Sequence, residues 1–131
     1  MAKAILNNFR QSPRKIRLLA DLVRGKKVPI ALTILKTATK RAALPLSALI
    51  ESAVANAKAE NLSHDNLVVK EIRVDGGPIM YRQMPRARGS AYRIRKRTSH
   101  ISVVLGEGRL RSKKENKTAL KKANKVEKNN N

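Results

Sequence analysis

The sequence predicts an α+β fold: three helices packed on a small antiparallel sheet, with a long protruding β-hairpin and a basic, disordered C-terminal tail. Apolar residues recur at helical spacing through the first half of the chain. Two β-branched arms flank a Pro- and Gly-containing turn in the second half. No acid occurs from Gly76 to Gly106, where the two arms of the hairpin run out and back.

Ala2 to Arg10 reads as a short extended segment. Ser12-Pro13 then reads as an N-cap followed by proline at the first helical position. Ile16, Leu19, Leu22 and Val23 follow at helical spacing, and Gly25 gives a stop. The other face carries Arg14, Lys15, Arg17 and Arg24. A second short helix starts near Pro29 and holds Ile30, Leu32, Ile34 and Leu35. The third is the clearest: Leu46, Leu49, Ile50, Ala53, Val54 and Ala57 form one apolar face, and its alanines permit close approach to a sheet.

The strands come next. Leu67-Val68-Val69 and Ile72-Arg73-Val74 form one arm, and Ala91 to Leu105 the other. Gly76-Gly77-Pro78 reads as a bend rather than a ligand site. Met84-Pro85-Arg86-Ala87-Arg88-Gly89-Ser90 marks the turn, so the arms pair as a hairpin. Few distal residues are apolar enough to bury, and a two-stranded ribbon alone is marginal in water. About ten residues of arm beyond the core would project roughly 30 Å. Residues 1–108 thus form one domain, with the hairpin arm at about 76–100, and residues 109–131 form the tail.

Charge narrows the function. The chain has 131 residues, with 30 Lys and Arg against 9 Asp and Glu, a net charge of +21. Such a domain repels itself until a polyanion neutralises it. Nucleic acid is the obvious polyanion, because phosphate neutralisation releases counterions. From Met1 to Ile50 the only acid is Asp21. Arg93, Arg95 and Arg97 share one strand face as a comb spaced at roughly 6.6 Å, near the phosphate spacing of a nucleic-acid strand. Arg82, Arg86, Arg88 and Lys96 add to the ribbon. Arginine suits this work, since its planar fork binds phosphate bidentately and stacks on bases. For Met80, Tyr81 and Met84 two readings stand side by side: an apolar contact cluster, or a surface that packs on bases.

Other classes fit poorly. The absence of cysteine excludes disulfides, thiol nucleophiles and Cys-ligated zinc. No apolar run approaches the roughly 20 residues that span a bilayer, and no secretory h-region opens the chain. His64–Asp65 and Ser99–His100 are the nearest approaches to catalytic pairs. Neighbours on a strand point to opposite faces, so Ser99 and His100 do not form a nucleophile–base pair. His64 reads as capping a loop. No cofactor, metal or small-molecule substrate is expected, and no enzymatic activity. An architectural DNA-binding protein with an arginine-rich β-arm is the alternative.

The segment Gly77 to Leu105 closely resembles the long hairpin of the large-ribosomal-subunit protein twenty-two family, in its bacterial and organellar form. Gly77-Pro78, Arg82, Met84-Pro85-Arg86-Ala87, Gly89, Ala91, Ile94 and Lys96-Arg97-Thr98-Ser99-His100-Ile101 carry the likeness. Ser12-Pro13-Arg14-Lys15, Val23-Arg24-Gly25-Lys26 and Ala53-Val54-Ala55-Asn56-Ala57 extend it, so that it covers about residues 3 to 106. Ser90 stands where members often carry a basic residue, and Tyr81 where Lys is common.

The resemblance implies a structural constituent of the large ribosomal subunit, in the cytoplasm or an organelle. Its partners would be large-subunit ribosomal RNA, neighbouring ribosomal proteins and the nascent polypeptide, with no membrane. Met84, Pro85, Arg86, Ala87, Arg88, Gly89, Ser90 and Ala91 would form the tip that faces the peptide exit tunnel. The set expected to meet RNA is Arg10, Arg14, Lys15, Arg17, Arg24, Lys26 and Lys27 on the body, with Arg82, Arg86, Arg88, Arg93, Arg95, Lys96, Arg97, Thr98, Ser99 and His100 on the hairpin.

Overall fold

The structure, a computed structural model, describes residues 1–60 and 66–108. His64, Asp65 and the basic tail lie outside the described residues. The elements run β1 (Ala2–Phe9), α1 (Pro13–Val23), α2 (Val28–Thr37), α3 (Ala43–Ala59), β2 (Leu67–Pro85), a 3-10 turn (Ala87–Gly89) and β3 (Ala91–Glu107). The three strands form one antiparallel sheet in the order β1-β3-β2. The expected α+β fold with its long hairpin is therefore present.

Helix α1 begins at Pro13 after Ser12, whose side chain makes no capping bond. The Lys15 N–H instead donates to the Ser12 carbonyl at 3.1 Å. Proline already removes one of the orphan N–H groups of the first turn. The buried stripe is Ile16, Leu19, Ala20 and Val23. Leu22, expected in the core, is exposed, because at 100° per residue it falls off the face that Ala20 shares with Ile16 and Val23. Ile30, one of the apolar residues of α2, is likewise exposed. There Val28, Ala31 and Leu35 take the buried positions, while Leu32 and Ile34 are half-buried.

Helix α3 buries Ala43, Leu46, Ser47, Leu49, Ile50, Ala53 and Ala57, with Val54 half-buried against the core. Ala53 and Ala57 are fully enclosed, and their lack of bulk lets the helix lie close to Ala2 and Ala4 of β1. Full burial of each large aliphatic side chain here contributes about 1.5–3 kcal/mol.

The sheet is shaped by three irregularities. In β2 the residues of the core cluster are Leu67 and Val69, then Ile72 and Val74, while Val68 is buried outside that cluster. This change of parity follows from a bulge: Val69 pairs with Leu105 but Glu71 with Val104. An extra residue shifts the alternation by one position and returns apolar side chains to the core. A second shift lies between Gly76 and Ile79, so Gly76-Gly77-Pro78 bends the ribbon without ending it. A third lies between Leu6 and Phe9 of β1, where Asn8 has φ +55.

The outer edge of β2 is closed by the body of the domain. The Gly25 N–H donates to the Val69 carbonyl at 2.9 Å, and the Val69 N–H donates to the Lys26 carbonyl at 3.0 Å. Gly25 has φ +72, the left-handed stop that turns the chain into this pairing. Further along, Arg24 Nη2 donates to the Ile72 carbonyl at 3.1 Å, and Arg17 donates twice to the Val74 carbonyl. Unpaired strand edges otherwise invite association.

Candidate nucleic-acid interface

Beyond the body the ribbon continues as regular pairs: Ile79 with Arg97, Tyr81 with Arg95, Gln83 with Arg93 and Pro85 with Ala91. The register shifts between the two arms fall at Val69/Glu71 and Gly76/Ile79, both counted along β2. Strand β3 itself keeps one alternation from Leu105 to Arg93. Ile101, Val103 and Leu105, which pack under the helices, therefore share their strand face with Arg93, Arg95 and Arg97. The face that is apolar inside the body becomes cationic outside it. That continuity brings the comb against the end of the domain where α1 begins.

A cleft of about 620 Å³ forms at this junction, lined by Arg10, Gln11, Ser12, Lys15, Arg41, Met80, Arg82, Arg95, Lys96 and Arg97. Seven of these are cationic and none is acidic. Asp21 pairs with Arg24 at 2.7 Å and Asp75 with Arg73 at 2.9 Å. Both pairs lie away from the cleft, by a second hollow in which signs are mixed, lined by Arg17, Asp21, Arg24, Glu71, Ile72, Arg73 and Val74. Among the described residues, this cleft brings together seven cations from body and ribbon with no acid in its lining, an arrangement that attracts polyanions.

The structure sorts the expected contact residues. Arg10, Lys15, Arg82, Arg95, Lys96 and Arg97 converge on the cleft. Arg14, Lys26 and Arg93 are exposed outside it, and Lys27 is half-buried in a bridge to Val68. Arg17 and Arg24 hold the edge of β2. Thr98 and Ser99 are 3% and 0% exposed, and their hydroxyls are bonded within the protein. The Thr98 hydroxyl donates to the Pro78 carbonyl at 2.6 Å and the Ser99 hydroxyl to the Gln11 carbonyl at 2.8 Å. They fasten the root of the ribbon to its own bulge and to the start of α1. His100 is half-buried beside them, its Nδ1 accepting the Asn8 N–H at 3.3 Å.

At the tip, the Arg86 N–H donates to the Ser90 carbonyl at 2.9 Å, and the Ser90 hydroxyl donates to the Ala87 carbonyl at 3.0 Å. Arg88 and Gly89 have φ +61 and +71. The Arg86 guanidinium lies over the Tyr92 ring, 5.3 Å from its centroid. All of Met84 to Ala91 is exposed. Arg41 joins the cleft without having been legible as a contact residue. It stands in a basic pair with Lys40, just before α3, and only the fold brings it beside the hairpin.

Among the described residues no group of three or more His, Asp or Glu is placed to hold a metal ion, and no helix is long and apolar enough to cross a membrane.

A small α+β domain that directs cationic side chains from its body and from a long ribbon into one cleft defines the class of this protein. Residues 4–106 match the family model for ribosomal protein L22p/L17e, and the chain belongs to that family. It is 55% identical over 108 residues to the large ribosomal subunit protein uL22 of Herpetosiphon aurantiacus, covering 82% of this chain and 96% of the relative. It is 53% identical over 110 residues to that of Christiangramia forsetii, covering 81% and 82%. The uL22 protein of Thermus thermophilus is 50% identical over 107 residues, covering 81% and 95%.

Proposed function

We propose that the chain is a structural constituent of the large ribosomal subunit. It binds large-subunit ribosomal RNA, helps that RNA assemble, and lines the nascent-peptide exit tunnel with the tip Met84 to Ala91. The seven-cation cleft between body and ribbon is the observation that supports RNA binding most directly. Family membership supports the ribosomal setting.

Arg10, Lys15, Arg41, Arg82, Arg95, Lys96 and Arg97 engage phosphates in the cleft. Arg93 continues along the ribbon, Arg86 and Arg88 act at the tip, and Arg14, Lys26 and Lys27 act from the body. Phosphate contacts of this kind fix position and orientation, so recognition is chiefly of RNA shape and backbone. The body takes one RNA segment while the ribbon threads a cleft too narrow for a globular domain. Neighbouring ribosomal proteins and the nascent chain complete its surroundings.

Sedimentation of the tagged protein from lysate on sucrose gradients tests this reading. Co-migration with large subunits that survives high salt is expected. Release at moderate salt, or migration with chromosomal DNA, would overturn it.

A further inference from the structure

The odd-numbered residues of distal β3 form the phosphate comb; the opposite face has a different chemistry. There Met84 pairs with Tyr92, Arg82 with Ile94 and Met80 with Lys96. Strand alternation puts Met80, Arg82, Met84, Tyr92, Ile94 and Lys96 on this one face. Tyr92 is 61% exposed and Met84 is 46% exposed. An exposed aromatic beside exposed methionine is costly to leave in water, and here it is interleaved with cations rather than with small polar residues.

We propose that the Arg86–Tyr92 pair is a stacking platform for an unpaired nucleobase of the bound RNA. The proposal rests on the phosphate-binding reading above and adds a base contact to it. Arg86, 5.3 Å from the Tyr92 centroid, holds the ring in one orientation by cation–π attraction. A base continues the stack, because every base has a π-face and both tyrosine and guanidinium accept one. Met84, across the strand pair, supplies a polarizable apolar flank. Arg82 and Lys96, one and two same-face steps from Tyr92 toward the body, meet phosphates of the strand that leads to that nucleotide.

Charge favours a nucleotide over a polypeptide as the occupant. No acid lies between Gly76 and Gly106, so the face repels basic peptide and has phosphate-binding groups that a neutral peptide leaves unused.

The chain has two tyrosines and no tryptophan, so a Tyr81→Phe background leaves Tyr92 as its only tyrosine. The full chain in that background is titrated with single-stranded oligouridylate and with an abasic oligomer carrying the same number of phosphates. Tyrosine fluorescence reports stacking, and anisotropy of labelled oligomer reports binding. Oligouridylate is expected to quench Tyr92 and the abasic oligomer not to. Tyr92→Ala is expected to weaken oligouridylate binding about tenfold and leave abasic binding unchanged, while Tyr92→Phe keeps the affinity. Equal, salt-dependent binding of both oligomers without quenching would overturn the platform and leave the phosphate reading standing. Binding of neither would overturn both. Quenching by an unstructured neutral peptide, with no response to oligouridylate, would give the face to polypeptide and overturn the proposal.

Discussion

The Arg17 guanidinium grips the Val74 carbonyl with both Nε, at 3.2 Å, and Nη2, at 2.9 Å. The bond ties the middle of α1 to β2 at the outer edge of the sheet. Arg24, two turns later, donates once, from Nη2, to the Ile72 carbonyl. Two residues read from sequence as phosphate ligands are thus also the clasp that holds helix to sheet.

Arg17→Ala is therefore expected to destabilise the domain by about 1–2 kcal/mol, in the range for a hydrogen bond from a charged donor at a partly exposed site. Arg17→Lys restores charge but not the two-pronged geometry, and should recover only part of the loss. Urea unfolding measures both. An unchanged midpoint for Arg17→Ala would mean that the clasp contributes nothing.

Gly77 sits in the β2 bulge, where a Cβ would come within 2.6 Å of Thr98 Oγ1 and 3.0 Å of His100 Nε2. Thr98 cannot easily yield, since it is buried and bonded to the Pro78 carbonyl. Gly77→Ala is expected to cost about 1–3 kcal/mol, the usual range for overpacking. Thermal unfolding reads the loss. At Gly76 an added Cβ would meet nothing within 4 Å, so Gly76→Ala should cost less and serves as the control.

Gly25 separates conformation from contact. Its added Cβ would also meet nothing within 4 Å, yet φ is +72. Gly25→Ala should cost about 1 kcal/mol from the left-handed backbone alone, and Gly25→Asn less, because asparagine tolerates that region. Equal stability of the alanine variant and the parent in urea titration would show that the turn relaxes at no cost.

Much of this architecture is legible in the sequence because it rests on local period. The apolar face of α3 and the two arms of the hairpin come straight from spacing. What depends on partners does not. The continuous apolar run Leu67-Val68-Val69 hides the bulge that follows, because a register shift exists only relative to β3. Ala20 is too small to outweigh Leu22 in a periodicity count, yet its position decides which face is buried. Thr98 and Ser99 stand among basic residues and look like part of the RNA-facing set; their burial comes with bonds to Pro78 and Gln11, both remote in sequence. Arg41 is similarly invisible, since a basic residue before a helix gains its meaning only when that loop packs beside the ribbon.

The cleft itself makes the last prediction. Each cation that neutralises one phosphate releases counterions, and the slope of log affinity against log salt falls by roughly 0.7–0.9 when one such contact is removed. Lys15→Ala, Arg41→Ala and Arg95→Ala come from three different parts of the chain around the cleft, and each is expected to lower the slope by about that amount on a large-subunit RNA fragment. The loss should be similar across RNA sequences, because a phosphate contact carries no base information. Leu44→Ala, an exposed apolar residue on α3, should leave the slope unchanged. Filter binding over a series of salt concentrations measures all four. Arg41 is the most informative, since nothing but its placement in the fold predicts a contact: an unaltered slope for Arg41→Ala alongside a reduced one for Arg95→Ala would confine the interface to the ribbon, and unaltered slopes for all three would remove the cleft from RNA binding altogether.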